Sequence, residues 1–394
     1  MSTHVSIRLV PFGHGFRPFF LAAIAYAPLA IGAWLWIRTS GAAPLWALPP
    51  QLWHGHEMLF GFAGAAIAGF LLTAVPSWTG SRGFSGAPLI ALIALWLVGR
   101  IAFAFTASLP IPAVAAAELL FLPCLALMIG PPLLQSRNRN APLLAVLAAL
   151  WLIDATFLWA MAHGEMQLSI TALLVGIDIV LLLITVIGGR IVPAFTANAL
   201  RVRGINAAVR TQPWIDGVAI TSMILVVVTD AIAPGHLATA VAAGVAALAQ
   251  AIRLSGWQGG RSLKEPIVWV LHAGYLWLPM GLALKAIHLS TDAQWASQWL
   301  HALTIGAVST MVLAVITRAS LGHTGRPLVV SRNVAIAYGV LGAGALVRVL
   351  VVPVIAQREL AVFASGVLWM IAFAIVLVIY APILLQPRID GRPG

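Results

Sequence analysis

Apolar residues fill most of the chain in blocks of about 20 residues, the helix length that spans a bilayer. Short stretches rich in Gly, Pro and Arg separate these blocks. Twelve blocks of this kind can be drawn, at roughly 19–37, 52–75, 87–106, 111–134, 142–162, 167–188, 213–232, 236–254, 266–289, 295–318, 333–354 and 360–385. The pattern predicts an all-α integral membrane protein of about 12 transmembrane helices, forming a single polytopic domain over residues 1–394.

The composition agrees with a membrane protein and excludes a soluble globular domain. Hydrophobic residues make up 61% of the chain and charged residues only 8%. The first apolar block is long and is not followed by a small-residue cleavage site, so we expect it to be retained as the first helix. The single cysteine, Cys124, excludes an intramolecular disulfide and a cysteine metal cluster.

The net charge of +11 raises the possibility of nucleic-acid binding, but the positions of the basic residues indicate membrane topology instead. If the N-terminus is cytoplasmic, most of the 22 lysine and arginine residues fall in the tails and in the connections on the cytoplasmic side. Only Arg38, Lys285 and Arg358 are predicted at the outer face. The positive-inside rule therefore predicts that both termini are cytoplasmic in a bacterial inner membrane, and no nucleic-acid partner is expected.

Two features of the predicted cytoplasmic side stand out. Residues 189–212 form the longest connection and read as an amphipathic loop, with Arg190 and Pro193 closing the sixth helix. Residues 13–18 and 322–327 both spell GHxxRP, the first just before helix 1 and the second just after helix 10. The repeat is either a coincidence in a chain rich in Gly and Pro, or a paired basic patch for an anion.

Orientation then sorts the histidines by depth. Helices 2 and 10 both enter from outside, so His54 and His56 lie near the outer surface and His301 about two turns inside it. Glu57 follows His56 directly. These four residues could share one layer of the outer leaflet. An imidazole or carboxylate inside a membrane is costly unless it is paired, and it indicates a functional site.

A second group of histidines lies deeper. Helix 9 runs outward from the cytoplasm, which places His272 in the inner half and His323 near the inner rim. Neutral imidazole suits haem iron, copper and zinc, whereas magnesium and calcium prefer oxygen ligands. A set rich in histidine and poor in carboxylates therefore predicts a transition metal or haem. Arg100, in the outer half of helix 3, is a candidate partner for haem propionates.

The HxH spacing permits two geometries. On an α-helix, residues i and i+2 diverge by about 200°, so His54 and His56 would serve different centres on opposite faces. If the segment is still extended before the helix begins, the two rings could converge on one ion.

Each candidate also has a purely structural interpretation. His54, His56 and Glu57 could be a polar cap at the start of a helix, and His301 could form a hydrogen bond between helices. His272 could likewise form a hydrogen bond between helices, and His323, beside an arginine, could be structural or contact an anion. Arg100 could simply pair with an intramembrane carboxylate such as Glu118, and three aspartates could be ion-pair partners or proton-relay groups: Asp154, Asp178 and Asp230.

Five stretches resemble the NnrS family, and they extend from helix 1 to beyond helix 10: GFRPFFLAA (15–23), WHGHEMLFGFAGAAIAGFLLTAVPSWTG (53–80), LWLVGR (95–100), GRIVPAFTANAL (189–200) and HALTIGAVSTMVLAVITRASLGHTGRPL (301–328). The resemblance implies a twelve-helix bacterial inner-membrane protein that carries haem and copper and is linked to nitric oxide metabolism and nitrosative-stress tolerance. It also implies that the metal ligands are His54, His56, His272, His301 and His323.

The combined interpretation is a membrane protein with haem b and copper that binds or reduces nitric oxide. Reduction would need an electron source, and quinol from the lipid bilayer is the expected donor because the sequence has no CxxCH haem-attachment motif. Glu57 is the candidate catalytic residue, since buried carboxylates could carry protons to the metals. The alternative is a twelve-helix secondary transporter whose buried histidines serve substrate or proton coupling. Against it, the 2–3 connection WTGSRGFSGA contains no acidic residue.

Overall fold

The computed structural model describes residues 10–42 and 44–391 of the chain, and within them it has twelve helices long and apolar enough to cross a membrane. In chain order these are α1 Phe16–Ser40, α2 Pro50–Thr79, α3 Ala87–Ala104, α4 Ile111–Gln135, α5 Leu143–Ala162, α6 Met166–Val202, α7 Pro213–Ile232, α8 Leu237–Ser255, α9 Pro266–Thr291, α10 Gln294–His323, α11 Arg332–Val351 and α12 Arg358–Leu385. No strand occurs in the described residues. The predicted all-α fold with twelve spans is confirmed.

Proline and glycine set the ends of several helices. Pro50, Pro213 and Pro266 are the first residues of α2, α7 and α9, where the missing N–H would have had no partner inside the helix. Gly41 and Gly80 follow α1 and α2 with a φ of 67°, a left-handed conformation that ends a helix and that glycine adopts without strain. Local sequence therefore fixes where these spans begin and end.

Helix α6 differs from the prediction, because it continues through Pro193 to Val202. The predicted loop from residue 189 is wrong over this part of the chain. Proline is tolerated inside membrane helices where neighbouring groups satisfy the freed backbone atoms. The carbonyl that Pro193 leaves free belongs to Gly189, and a Cβ at Gly189 would lie 1.8 Å from Arg253 Nη2. The absence of a side chain there makes room for the guanidinium beside the interrupted turn.

Two basic residues lie elsewhere than their predicted positions. Lys285, predicted at the outer face, is buried within α9. Arg253, predicted in a cytoplasmic connection, is buried in α8, where it donates to Asp216 Oδ1 at 2.7 Å and to the hydroxyl of Tyr275 at 2.8 Å. The positive-inside rule counts basic residues by their place along the chain, so it cannot recognise a cation neutralised inside the protein.

The chain divides into two compact units. The first unit comprises the chain up to Ala155 together with Ile316–Leu328 and the residues from Phe373 onward. The second unit comprises Thr156–Val315 and Val329–Ala372. In the first unit α1 packs against α2, and α3 against α4. In the second unit α6 to α9 pack in chain order, and α9 also packs against the first part of α10. Short connections between consecutive helices make these neighbours antiparallel.

Three helices contain a wider, π-helical stretch. These stretches are Glu57–Ala63 in α2, Ala302–Ser309 in α10 and Val347–Val351 in α11. The first begins directly after His56, and the second directly after His301. Short π-helical turns inside α-helices occur frequently at functional sites. Nothing in the apolar pattern predicts these stretches.

Candidate functional site

A buried polar cluster in the first unit brings together His56, Glu57, Arg100, Glu118 and Asp154. Each of these residues is at most 5% exposed. The imidazole of His56 has its Nε2 3.0 Å from Asp154 Oδ1 and its Nδ1 3.3 Å from Glu57 Oε1. Arg100 donates from Nη1 to Glu57 Oε1 at 2.7 Å and from Nη2 to Glu118 Oε2. Five residues from α2, α3, α4 and α5 thus form one connected network.

The cluster contains more negative than positive charge. Three carboxylates face a single guanidinium, so full ionisation would leave two negative charges without a cation in a site away from water. Uncompensated buried charges are strongly unfavourable. The hydrogen bonds of His56 lead to the same conclusion. Neutral His56 has one N–H but faces a carboxylate at each ring nitrogen, so one of the two contacts lacks a proton unless a proton or a cation is added. The cluster therefore requires added protons or an added cation.

Three members are close enough to hold a metal ion. One ligand atom each from His56, Glu118 and Asp154 lies within 4.8 Å of the others. A cavity of about 20 Å³ adjoins Arg100, Glu118 and Asp154. A cavity of this size holds about one water molecule. The arrangement has room for an ion with one small exogenous ligand, but not for a porphyrin.

Small residues and aromatic rings make room for this cluster. A Cβ at Gly61 would lie 2.6 Å from the Tyr26 ring, and one at Gly99 would lie 3.1 Å from Glu118 Oε2. The hydroxyl of Tyr26 donates to Glu57 Oε2. Phe103 stacks on the His56 ring with centroids 3.7 Å apart and fixes its plane. Gly61 and Gly99 belong to the sequence stretches that also supply Glu57 and Arg100, so both glycines were available as signals of close packing.

His54 and His56 contact different neighbours. The chain is already α-helical from Pro50 to His56, so the extended geometry considered for the HxH motif is wrong. The ring of His54 stacks on Trp34 at 4.8 Å, whereas His56 faces Asp154. Divergence of the two imidazoles is the geometry that a helix imposes. His54 is therefore absent from the buried cluster.

The remaining predicted ligands lie in separate places. In the second unit, His301 Nε2 is 3.1 Å from Arg348 Nη2, and His272 Nε2 is 2.8 Å from Thr196 Oγ1. The other ring nitrogen of His272, Nδ1, is buried and has no hydrogen-bond partner among the residues that the structure describes. In the first unit, the ring of His323 packs against Phe16. The arginine contact at His301 is the hydrogen bond between helices that the structural interpretation predicts.

A second buried ionic group lies in the second unit. Lys285 on α9 donates to Asp230 Oδ2 on α7, and its Nζ is 3.7 Å from Asp178 Oδ2 on α6. The same Nζ lies 4.7 Å from the centroid of the Trp299 ring. Each charged side chain of this triad is at most 3% exposed. Asp178 and Asp230 are thus ion-pair partners of one lysine.

The sequence identified some members of the buried cluster but did not predict that all five side chains meet in one place. His56, Glu57 and Arg100 were predicted as site residues, and Arg100 does pair with Glu118 as the structural alternative proposed. Asp154 and Glu118 were recognised only as ambiguous intramembrane carboxylates. Their shared position with His56 depends on the packing of four helices, and an unaligned sequence does not contain it.

One comparison with known proteins gives a match. The family model described as NnrS protein matches residues 11–388, which is nearly the whole chain. No curated protein matches the chain. The match includes all five residues of the buried cluster.

Proposed function

The chain belongs to the NnrS family, and from that premise we propose that it is a metal-binding membrane protein that binds or reduces nitric oxide. The observation that carries the metal proposal is the charge of the buried cluster, where three carboxylates and one imidazole face one arginine. A divalent ion held by His56, Glu118 and Asp154 would balance the excess charge. Nitric oxide is proposed as the ligand on the strength of the family resemblance.

The three ligands in the cluster suit copper, the metal that the family resemblance implies. One imidazole and two carboxylates bind divalent first-row ions, and copper(II) binds a given nitrogen and oxygen site most tightly in that series. Bound copper would supply a redox-active Lewis acid at His56. The cavity beside Glu118 and Asp154 is large enough for one diatomic or water-sized ligand.

Haem b does not fit in this cluster, so we propose it at one of the family histidines that lie outside both the cluster and the GHxxRP repeat, namely His54, His272 or His301. Of these, His272 has an Nδ1 that is buried and has no hydrogen-bond partner among the described residues, and haem at this residue would have to displace the Gly259 backbone that lies beside that nitrogen. Haem b there would supply an iron that binds nitric oxide. In this proposal Arg100 belongs to the metal site and not to the haem propionates, since both of its terminal nitrogens donate to carboxylates of the buried cluster.

Residues of the chain would provide protons for turnover. Reduction of two nitric oxide molecules to nitrous oxide and water consumes two electrons and two protons, and quinol is the proposed electron donor. Glu57 accepts hydrogen bonds from Tyr26 and Arg100 and lies beside His56. These contacts place Glu57 between Tyr26 and His56, and in this proposal it relays protons toward the metal ligands. In this proposal, the protein contributes to nitrosative-stress tolerance in the bacterial inner membrane.

The metal proposal predicts one divalent copper ion per chain, in addition to haem iron, in protein purified without chelator. Asp154→Asn and His56→Ala should each lose that ion, because each removes one of three protein ligands. Elemental analysis of the detergent-purified protein measures the content. The matched control is His163→Ala, which removes an exposed imidazole at the end of α5 and should leave the metal content unchanged. Full metal content in both cluster variants would contradict the assignment.

The haem proposal predicts a pigmented protein. Its absorption spectrum should show a Soret band that shifts when nitric oxide is added. The haem should be extractable by acid, because the sequence has no covalent attachment motif. A colourless, folded preparation from haem-sufficient cells would contradict this proposal.

One observation favours the transporter as a second candidate function. Lys285, Asp178 and Asp230 form a buried ionic triad across three helices, and buried ionisable groups of this kind mark proton pathways in carriers. A colourless, metal-free protein that takes up a solute together with protons would support this candidate over the metalloprotein.

A further inference from the structure

The two GHxxRP motifs meet at one end of the first unit, although about 300 residues separate them. Phe16, within the first motif, is their common contact. The ring of His323 lies 5.5 Å from the Phe16 ring and that of His14 lies 6.1 Å from it. The guanidinium carbon of Arg17 lies 5.3 Å from the same ring. The repeat therefore corresponds to one structural cluster, formed where α1 begins and α10 ends.

Arg17 is anchored on one side and unpaired on the other. Its Nη1 donates to the carbonyl oxygens of Leu384 at 2.8 Å and Gln386 at 2.6 Å, which caps the end of α12. Its Nε and Nη2 are buried and have no hydrogen-bond partner among the described residues. These two nitrogens form the side-on edge with which arginine binds a carboxylate or phosphate through two parallel bonds. The residue is only 1% exposed, so this unpaired edge is unfavourable as it stands.

The charges around Arg17 are also uncompensated. Arg326, from the second motif, has a buried Nη1 without a hydrogen-bond partner in residues 10–42 and 44–391. Arg326 and Arg388 are close enough to repel the charge of Arg17. Arg388 is neutralised by Asp390, to which it donates at 2.8 and 2.5 Å. Arg17 and Arg326 therefore retain two positive charges without a carboxylate partner in the described part of the chain.

His14 adds hydrogen-bonding capacity rather than charge. Burial, followed by the charges of Arg17 and Arg388, lowers the pKa of His14 from its ordinary value. The imidazole is therefore neutral at neutral pH, and one of its ring nitrogens carries an N–H. A Cβ at Gly83 would lie 2.9 Å from the ring, so the glycine allows the chain to pass close beside His14.

We propose that Arg17 and Arg326 form a binding site for a phosphate oxyanion, flanked by His14 and His323. Two uncompensated guanidinium groups attract a phosphate, whether it carries one negative charge as in a lipid diester or up to two as free phosphate, and the free edge of Arg17 matches its geometry. The site lies at the ends of membrane-spanning helices, where basic pockets bind the headgroups of anionic lipids. The phosphate is either free inorganic phosphate or the headgroup phosphate of such a lipid.

Inorganic phosphate tests the site on the full-length protein in an uncharged detergent. The thermal unfolding midpoint is measured against phosphate concentration, with sodium chloride keeping the ionic strength constant. Phosphate should raise the midpoint in a saturable manner, because it binds only the folded state. Arg17→Lys retains the charge but loses the two-nitrogen edge, and it should raise the half-saturating concentration about tenfold or more. Arg326→Gln, at a half-buried position, should also weaken binding.

The control and the lipid arm complete the test. Arg139→Gln removes an exposed charge elsewhere in the first unit and should leave the phosphate response unchanged. Short-chain phosphatidylglycerol is then compared with short-chain phosphatidylcholine. Stabilisation by phosphatidylglycerol alone identifies a lipid ligand, whereas stabilisation by inorganic phosphate without a difference between the lipids identifies free phosphate. Absence of any response to phosphate and phosphatidylglycerol, or wild-type responses in both Arg17→Lys and Arg326→Gln, would overturn the proposal.

Discussion

Replacement of Arg100 by methionine is expected to destabilise the protein by about 3–5 kcal/mol, the usual cost of removing one partner of a buried ion pair. Arg100 is the only cation of the buried cluster, and it donates to both Glu57 and Glu118. Its loss would leave those carboxylates and Asp154 together in a site that excludes water. We expect most of the variant to be lost during detergent extraction, and the remainder to unfold at a clearly lower temperature than wild type.

Two further variants separate this effect from a loss of packing. Arg139→Met makes the same replacement at an exposed position of the first unit and should be close to neutral. The double variant Arg100→Met with Glu118→Gln should recover part of the stability, because it removes one of the uncompensated charges. Divalent copper should also stabilise Arg100→Met more than wild type if the cluster is a metal site. Equal stability of Arg100→Met and Arg139→Met would contradict the charge argument.

Lys285→Met is expected to have a comparable effect in the second unit, again about 3–5 kcal/mol. Lys285 is the shared partner of Asp178 and Asp230, so its removal leaves two buried carboxylates facing each other. The loss of the contact with the Trp299 ring adds a smaller term. Thermal unfolding of the detergent-purified protein measures the difference from wild type.

The number of charges in the triad predicts different effects for its members. Asp230→Asn should cost much less than Lys285→Met, because it leaves one lysine paired with one carboxylate, Asp178. Lys264→Met is the matched control, since Lys264 is exposed in a connection between helices. If Asp230→Asn is as damaging as Lys285→Met, the triad is held together by shape rather than by balance of charge.

Hydropathy was sufficient for the spans, because a bilayer imposes a length and polarity that each helix satisfies by itself. It was insufficient where the protein interior replaces lipid as the environment. The continuation of α6 through Pro193 depends on neighbours that accommodate the interrupted turn. Lys285 and Arg253 were misplaced for a related reason, since their partners come from other helices.

In the candidate site too, the sequence predicts the position of a residue along its helix but not its neighbours on other helices. The sequence predicts how far along the second span His56 and Glu57 lie, because that position follows from counting residues along a helix. It did not indicate which face of α4 or α5 would turn toward them. Glu118 and Asp154 were therefore recognisable as costly residues, but their common position with His56 required the packed structure.

The π-helical stretches have a consequence for comparing this chain with its relatives. Each such turn holds an extra residue relative to an α-helix, and one residue corresponds to a rotation of about 100°. Deleting a single residue within Glu57–Ala63 would therefore convert the stretch to ordinary α-helix, while Gly64 and the residues after it in α2 would keep nearly the same orientation about the helix axis. In an alignment of homologues, single-residue gaps consequently belong inside these spans as well as in the connections. A gap at that position would distinguish members that keep the geometry around His56 from members that have lost it.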